Sequence, residues 1–274
     1  MRPSIKLFII FHEKIFPRHY KGLELNSDEL FFFGVNKQLS PDLKVKSTYE
    51  YDLPIYDNLL QKRGYNESSA IYHIYKNDLY KDCDYIGIVQ YDMIFGKRLL
   101  ETIRNSIEKN PEKEIIFYHK KLNFKETREV DTPPVLESYN KFFGTKFTVD
   151  DLGKNPINNK IIMYSTFIIP VRVFEKMMSW TSRLIFEIYP SAILPPYPAN
   201  HNRLGEVMEE SYGIFFALES LQKRTTHIEV PIIHSDHKIK RNFFTKYLIY
   251  NLKYLGFWIT VKKILKEVKK AFLN

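Results

Sequence analysis

Apolar residues along this chain gather in short runs, separated by stretches in which they recur at helical spacing. Ile5-Lys-Leu-Phe-Ile-Ile-Phe11 and Leu30-Phe-Phe-Phe-Gly-Val35 are nearly continuous, a pattern that predicts strands covered on both faces. Pro54 to Arg63 predicts a short helix ended by Gly64. From Glu67 to Leu79 the residues Ala70, Ile71, Ile74 and Tyr75 keep helical period, with Asn66 in the N-cap position. Asp84-Tyr-Ile-Gly-Ile-Val-Gln-Tyr-Asp-Met93 predicts a central strand ending at Asp92. A helix over about Lys97 to Lys109 follows, and then a strand over Glu114 to His119.

Residues 120 to 160 are polar and carry Pro133, Pro134, Gly144, Gly153 and Pro156, which predicts loops around a short helix near Val135 to Phe143. Ile161 to Pro170 predicts a strand and Val171 to Tyr189 an amphipathic helix. The Pro-rich stretch 190–203 predicts a long loop, a length that inside a compact domain usually marks function. A helix over Leu204 to Leu221 and a strand over His227 to Ile233 complete the series, before His234-Ser-Asp-His237. The alternation of strands and helices predicts one α/β domain over 1–237, with a mostly parallel sheet flanked by helices.

Charge divides the chain at that boundary. Residues 238–274 hold ten Lys/Arg against one acid, Glu267. Removing them from the chain's 41 basic and 32 acidic residues leaves 31 of each, so the body is formally neutral and the tail carries the net +9. Val261, Ile264, Leu265, Val268 and Phe272 recur at helical spacing there, and the lysines fall mostly on the remaining arc. A basic amphipathic helical tail of this kind suits an anionic membrane surface, through residues 239–274. A lysine-faced helix docked on its own domain is the plainer alternative. Nucleic acid is disfavoured as a partner, because a neutral body offers no basic footprint beyond the tail.

Other classes lose ground on composition and motif. Apolar residues at 44% and aromatics at 15% exclude a disordered chain. The single cysteine, Cys83, forms no intramolecular disulfide and asks for no oxidising compartment; it is expected as a small buried residue beside a strand. Ile5 to Phe11 is too short, and too soon followed by charge, for a secretion signal. No run of roughly 18 apolar residues spans a bilayer. There is no GxGxxG, no GxxxxGK[ST] and no GxSxG, which disfavours dehydrogenase, kinase and serine hydrolase chemistry.

The acids and histidines that remain suggest a site. Asp92, after an apolar run, is expected at the carboxyl edge of a central strand, where open α/β sheets bind ligands. A carboxylate there holds a divalent cation on a diphosphate, or simply caps the next turn. His234 and His237 flank Asp236 just beyond the last strand. Glu206, Glu209 and Glu210 share one helix face at spacings of three and four, useful where one must take a proton and otherwise ordinary first-turn acids.

Several segments together resemble GT-A-type glycosyltransferases, in particular the DUF4422-like enzymes of polysaccharide synthesis. They are Asn66-Glu-Ser-Ser-Ala-Ile-Tyr-His-Ile-Tyr-Lys-Asn77, Asp84-Tyr-Ile-Gly-Ile-Val-Gln-Tyr-Asp92, Met163-Tyr-Ser-Thr-Phe-Ile-Ile-Pro-Val-Arg-Val-Phe174 and Gly205-Glu-Val-Met-Glu-Glu-Ser-Tyr-Gly213. The resemblance implies a GT-A-like, Rossmann-like fold and a nucleotide-sugar donor bound by Phe11, His12, Glu13, Asn66, Glu67, Gln90, Tyr91 and Asp92. Gln90-Tyr91-Asp92 would stand where such enzymes carry DxD, but with only the last acid. A Mn²⁺ or Mg²⁺ cofactor on Asp92 and His234 is therefore open, and a lysine or arginine is the other means of neutralising the diphosphate. Glu210 would be the base on the acceptor hydroxyl of an inverting reaction and Glu209 an acceptor contact. The acceptor implied is a surface glycan or lipid-linked oligosaccharide, met by an enzyme lying in the cytoplasm on the inner face of a membrane. A metal-dependent phosphoesterase using Asp92, His234 and His237, and a non-enzymatic membrane- or nucleic-acid-binding module, are the rival readings.

Overall fold

A computed structural model describes residues 2–12, 15–20, 27–35, 47–96, 98–123, 132–154, 160–188, 203–222, 225–230 and 232–234. The charged tail, the Pro-rich loop 190–202, Glu13, Asp236 and His237 lie outside the described residues.

Seven strands form the main sheet: β1 (Ile5–Phe11), β2 (Leu30–Gly34), β3 (Ser47–Tyr49), β4 (Tyr85–Gln90), β6 (Glu114–Asn123), β7 (Lys160–Pro170) and β8 (Thr225–Glu229). Their order is β3-β2-β1-β4-β7-β6-β8. β1 pairs in parallel with β2 and β4, β2 with β3 and β6 with β8, whereas β7 runs antiparallel to both β4 and β6. The expected α/β architecture with a mostly parallel sheet is therefore present, with one reversed strand.

Period-two alternation along buried strands sends side chains into two cores. Phe8, Ile10, Phe33, Ile86 and Ile88 face helices α2 (Glu67–Lys76), α4 (Thr132–Phe143), α6 (Val171–Glu187) and α7 (Arg203–Leu221). Leu7, Ile9, Phe32 and Val89 face α3 (Leu99–Glu108) and the 3-10 turn Pro17–Tyr20. Two five-residue helices, α1 (Asn58–Lys62) and α5 (Val149–Gly153), complete the described elements. Gly87 sits where β1, β4 and β7 are tightest: a Cβ there would lie 2.4 Å from Leu7 Cδ2 and 3.0 Å from Ile168 Cγ1.

Two expected strands are each broken in two. β4 stops at Gln90, Tyr91 and Asp92 form a turn, and Met93–Phe95 become a separate strand, β5. Likewise β8 ends at Glu229, and Ile232–His234 form β9. Ile232 N–H donates to Val230 O (2.8 Å), a short-range bond that separates the two strands. β5 and β9 then pair with each other as a two-stranded antiparallel sheet, Met93 opposite His234. Asn66 directly precedes α2 with φ +48° and no side-chain capping bond, so it is a turn residue and does not make the expected cap. Cys83 is half-buried, its thiol donating to Tyr80 O (3.1 Å).

Candidate active site

Parallel β1, β2 and β4 end on one edge of the sheet, and several of the expected site residues lie there. His12 directly follows β1. Its ring packs edge-on against Tyr91 (centroids 4.7 Å), and its Nδ1 is 3.5 Å from Glu67 Oε1. Glu67 is the first residue of α2, a position the helix dipole favours for a carboxylate. The β5–β9 pairing brings the two predicted metal ligands together, with Asp92 Oδ2 2.9 Å from His234 Nε2. The Tyr91–Asp92 turn is held from both sides: Tyr91 N–H donates to Ile10 O (2.9 Å), and the buried Tyr20 hydroxyl donates to Tyr91 O (2.8 Å).

Phe11 is placed differently from the rest. It is wholly buried in the core against Tyr49, ring centroids 6.0 Å apart, and so anchors the end of β1 without presenting its ring to a ligand. Gln90 is the last residue of β4, its N–H 3.5 Å from Thr166 Oγ1.

Glu209 and Glu210, neighbours in sequence, part in space because successive helix positions lie about 100° apart. Glu210 turns to α4, where its Oε1 accepts from Thr132 Oγ1 at 2.6 Å. Glu209 faces Glu67, Glu206 and Asp92, whose charges all act on it. Burial above all, and then the Glu67 and Glu206 charges, push the Glu209 carboxyl up to about 8, against the opposing effect of a hydrogen bond from Ser165 N–H. Its Oε1 is buried and has no hydrogen-bond partner among the described residues. Burial likewise raises Glu67, against the opposing pull of His12.

The Ser165 N–H reaches Glu209 because β7 is irregular there. Between Tyr118↔Phe167 and Lys120↔Met163, the three residues 164–166 stand opposite the single His119, and Ser165 takes φ +36°. A bulge that carries a serine into the left-handed region costs about 1–3 kcal/mol and re-aims the backbone, here at a carboxylate. The start of α7 is fixed by close approach: Gly205 N–H donates to Gly64 O (3.2 Å), and a Cβ on Gly205 would lie 3.3 Å from Tyr65 O. Tyr212, one turn on from Glu209, is buried and bonded to Ser68. Ser165, Tyr20 and Tyr212 escape a reading of the sequence, since each acts through backbone geometry or packing and belongs to no spaced motif.

Among the described residues no group of three or more His, Cys, Asp or Glu side chains assembles to hold a metal ion. Asp92 and His234 form a two-residue donor set at most.

No family model and no curated protein matches the chain. Solved structures do. The bifunctional glycosyltransferase WbbM, in its apo form, is similar over 85% of this chain at 15% identity and a TM-score of 0.61; the match spans 46% of WbbM, so this chain corresponds to about half of that protein. A core-mannan synthase of Aspergillus fumigatus, CmsA/Ktr4 in an Mn/GDP form, matches 84% of this chain and 74% of its own at 13% identity and TM-score 0.42. A Bacillus anthracis protein assigned as a glucose-1-phosphate thymidylyltransferase, solved with sucrose, matches 90% and 96% at 9% identity and TM-score 0.41. With scores below 0.5 the latter two add nothing to the likeness to WbbM, which fixes the architecture: this chain has the α/β, Rossmann-like GT-A fold.

Proposed function

We propose that the protein is a glycosyltransferase that moves a sugar from a nucleoside diphosphate donor to a hydroxyl of a glycan or lipid-linked acceptor. The observation that carries this reading is Glu209: a buried carboxyl pushed up to about 8, with one oxygen unpartnered among the described residues, at the carboxyl edge of a GT-A sheet. A group that titrates near neutrality and has a vacant oxygen is suited to take a proton. Glu209, and not Glu210, is accordingly the proposed base. Glu210 is engaged by Thr132 and braces α7 against α4.

In the proposed reaction the acceptor O–H gives its proton to the Glu209 carboxylate as its oxygen attacks the anomeric carbon. The bond from that carbon to the donor phosphate breaks, and the nucleoside diphosphate leaves with the electron pair. Attack opposite the leaving group inverts the anomeric centre. Ser165 N–H holds Glu209 towards the acceptor, and His12, Tyr91 and Glu67 line the donor side.

Asp92 and His234 would hold a divalent cation on the donor diphosphate. One carboxylate and one imidazole fit Mn²⁺ or Mg²⁺ there, because such ions take most of their ligands from phosphate and water. Bound, the cation would supply charge neutralisation of the leaving diphosphate. The narrower likeness to DUF4422-like enzymes rests on the short motifs quoted above, and attachment to the inner face of a membrane rests on the composition of the tail.

A thermal-shift screen against nucleoside diphosphates and nucleotide sugars, with and without Mn²⁺, tests the reading. A ligand at about 100 times its Kd adds roughly 2.7 kcal/mol of stability. A shift confined to one nucleotide class supports the transferase and identifies its donor, and its dependence on Mn²⁺ tests Asp92. A well-folded protein that no nucleotide or nucleotide sugar stabilises would refute it.

A further inference from the structure

The carboxylates around Glu209 come from three elements that close contacts hold together. α7 starts against the chain just before α2: besides the bond from Gly205 to Gly64 O, a Cβ on Gly205 would lie 3.4 Å from Asn66 Nδ2. One turn beyond Glu209, Tyr212 is bonded to Ser68 in the first turn of α2. Glu206 and Glu209, three positions apart on α7, therefore share the face that meets Glu67 at the start of α2. Asp92 joins them from the turn after β4.

Two of these carboxylates have an imidazole opposite, His12 at Glu67 (3.5 Å) and His234 at Asp92 (2.9 Å). Glu209 is held differently. A hydrogen bond reaches it from Ser165 N–H, the Glu67, Glu206 and Asp92 charges all oppose its ionisation, and its Oε1 is buried without a hydrogen-bond partner among the described residues. The site meets that repulsion by keeping a proton on Glu209, and a cation seated there would take the proton's place. A bare metal ion fits poorly, because it needs several ligand atoms converging at about 2.0–2.6 Å, and no group of three acids or histidines assembles to hold one among the described residues. A sugar hydroxyl can bond a carboxylate but leaves the repulsion uncompensated. An ammonium group brings the charge and three N–H donors, each able to reach a different carboxylate at about 2.7–2.9 Å.

We propose that Glu67, Glu206 and Glu209 seat a free ammonium group of the acceptor, which makes the acceptor an amino sugar whose amine is not acylated. This deepens the reading of Glu209 as the acceptor-side base and rests on it. On binding, the ammonium keeps its three protons and Glu209 gives its own proton to water, leaving the carboxylate that the acceptor O–H needs. The substrate thus readies the base as it arrives, since a ligand that prefers the ionised form draws the proton off. An N-acetylated sugar lacks the charge and would leave Glu209 protonated.

Titration calorimetry of the full chain near pH 6, where the sugar amine is charged, tests the proposal. The probes are the methyl glycosides of glucosamine and galactosamine, each beside its N-acetyl form and its amine-free parent. At least one amine glycoside is expected to bind about tenfold or more tightly than its N-acetyl form, some 1.4 kcal/mol. Glu206→Gln removes one carboxylate and keeps the shape, and should erase most of that preference. Repeating the titration in two buffers of different ionisation heat should show a proton released to solvent on amine binding, and none with Glu209→Gln, so the readout does not depend on turnover. Equal binding of amine and N-acetyl forms, a preference that survives Glu206→Gln, or no binding by any of the glycosides overturns the proposal. An amine preference in a protein that no nucleotide or nucleotide sugar stabilises would support the cation seat and refute only glycosyl transfer.

Discussion

Glu209 and Glu210 carry the same side chain one position apart, and their environments give them opposite properties. Glu209→Gln keeps the shape and removes the proposed proton acceptor, so turnover should fall by about 10²–10⁴ while the donor-induced thermal shift persists. Glu210→Gln should retain most activity and cost about 1 kcal/mol through its weakened bond with Thr132. Kinetics and melting of the two variants together check the assignment. Folding stability supplies a second, activity-independent test. The folded state holds Glu209 up to about 8, above its ordinary value, so the folded state binds the proton more tightly. The stability it contributes is complete below the unfolded pKa and is lost as pH rises from there through about 8. Glu209→Gln should therefore match the unaltered protein near pH 4 and exceed it by on the order of 2 kcal/mol or more near pH 9, measured by denaturant melts at both.

At the scale of elements, the central strands set the site by their spacing. Gly87 lets β1 and β7 close on β4, so Gly87→Ala should cost about 1–3 kcal/mol in a melt, because Leu7 and Ile168 are themselves fully buried. The bulge at Ser165 works in the other direction, sacrificing ladder regularity to aim one N–H. Ser165→Gly accepts the positive φ without strain and should leave stability equal or higher, whereas Ser165→Val should lower both stability and turnover. Equal melts for the valine and serine proteins would show that the bulge imposes no local constraint.

For the whole molecule, the neutral body and the cationic tail are proposed as separable units. Removing 238–274 should leave the melting temperature and the donor-induced shift of the body unchanged, and action on a soluble acceptor intact, while vesicle binding weakens. Loss of the donor-induced shift on deletion would make the tail part of the catalytic unit. No described helix is long and apolar enough to cross a membrane.

How far the sequence alone reached follows from what its signals depend on. Apolar runs and helical periods are local, so they located β1, β2 and the helices over 67–76, 99–108, 171–187 and 203–221 to within a few residues. The mostly parallel sheet followed from their alternation. The same runs hid the breaks at Tyr91–Asp92 and between Glu229 and Ile232, because an apolar run reads alike whether one strand or two run through it. Asp92 was legible as a site candidate because an acid directly after an apolar run stands at a strand end, whereas Glu67 and His12 were named only through the resemblance to GT-A enzymes. Only the tertiary structure turned Glu209 towards the carboxylates and Glu210 away, set Asp92 against His234 from 142 positions along the chain, and bent β7 at Ser165. These depend on register and packing between distant elements, which energies spread over the whole core decide and no local pattern encodes.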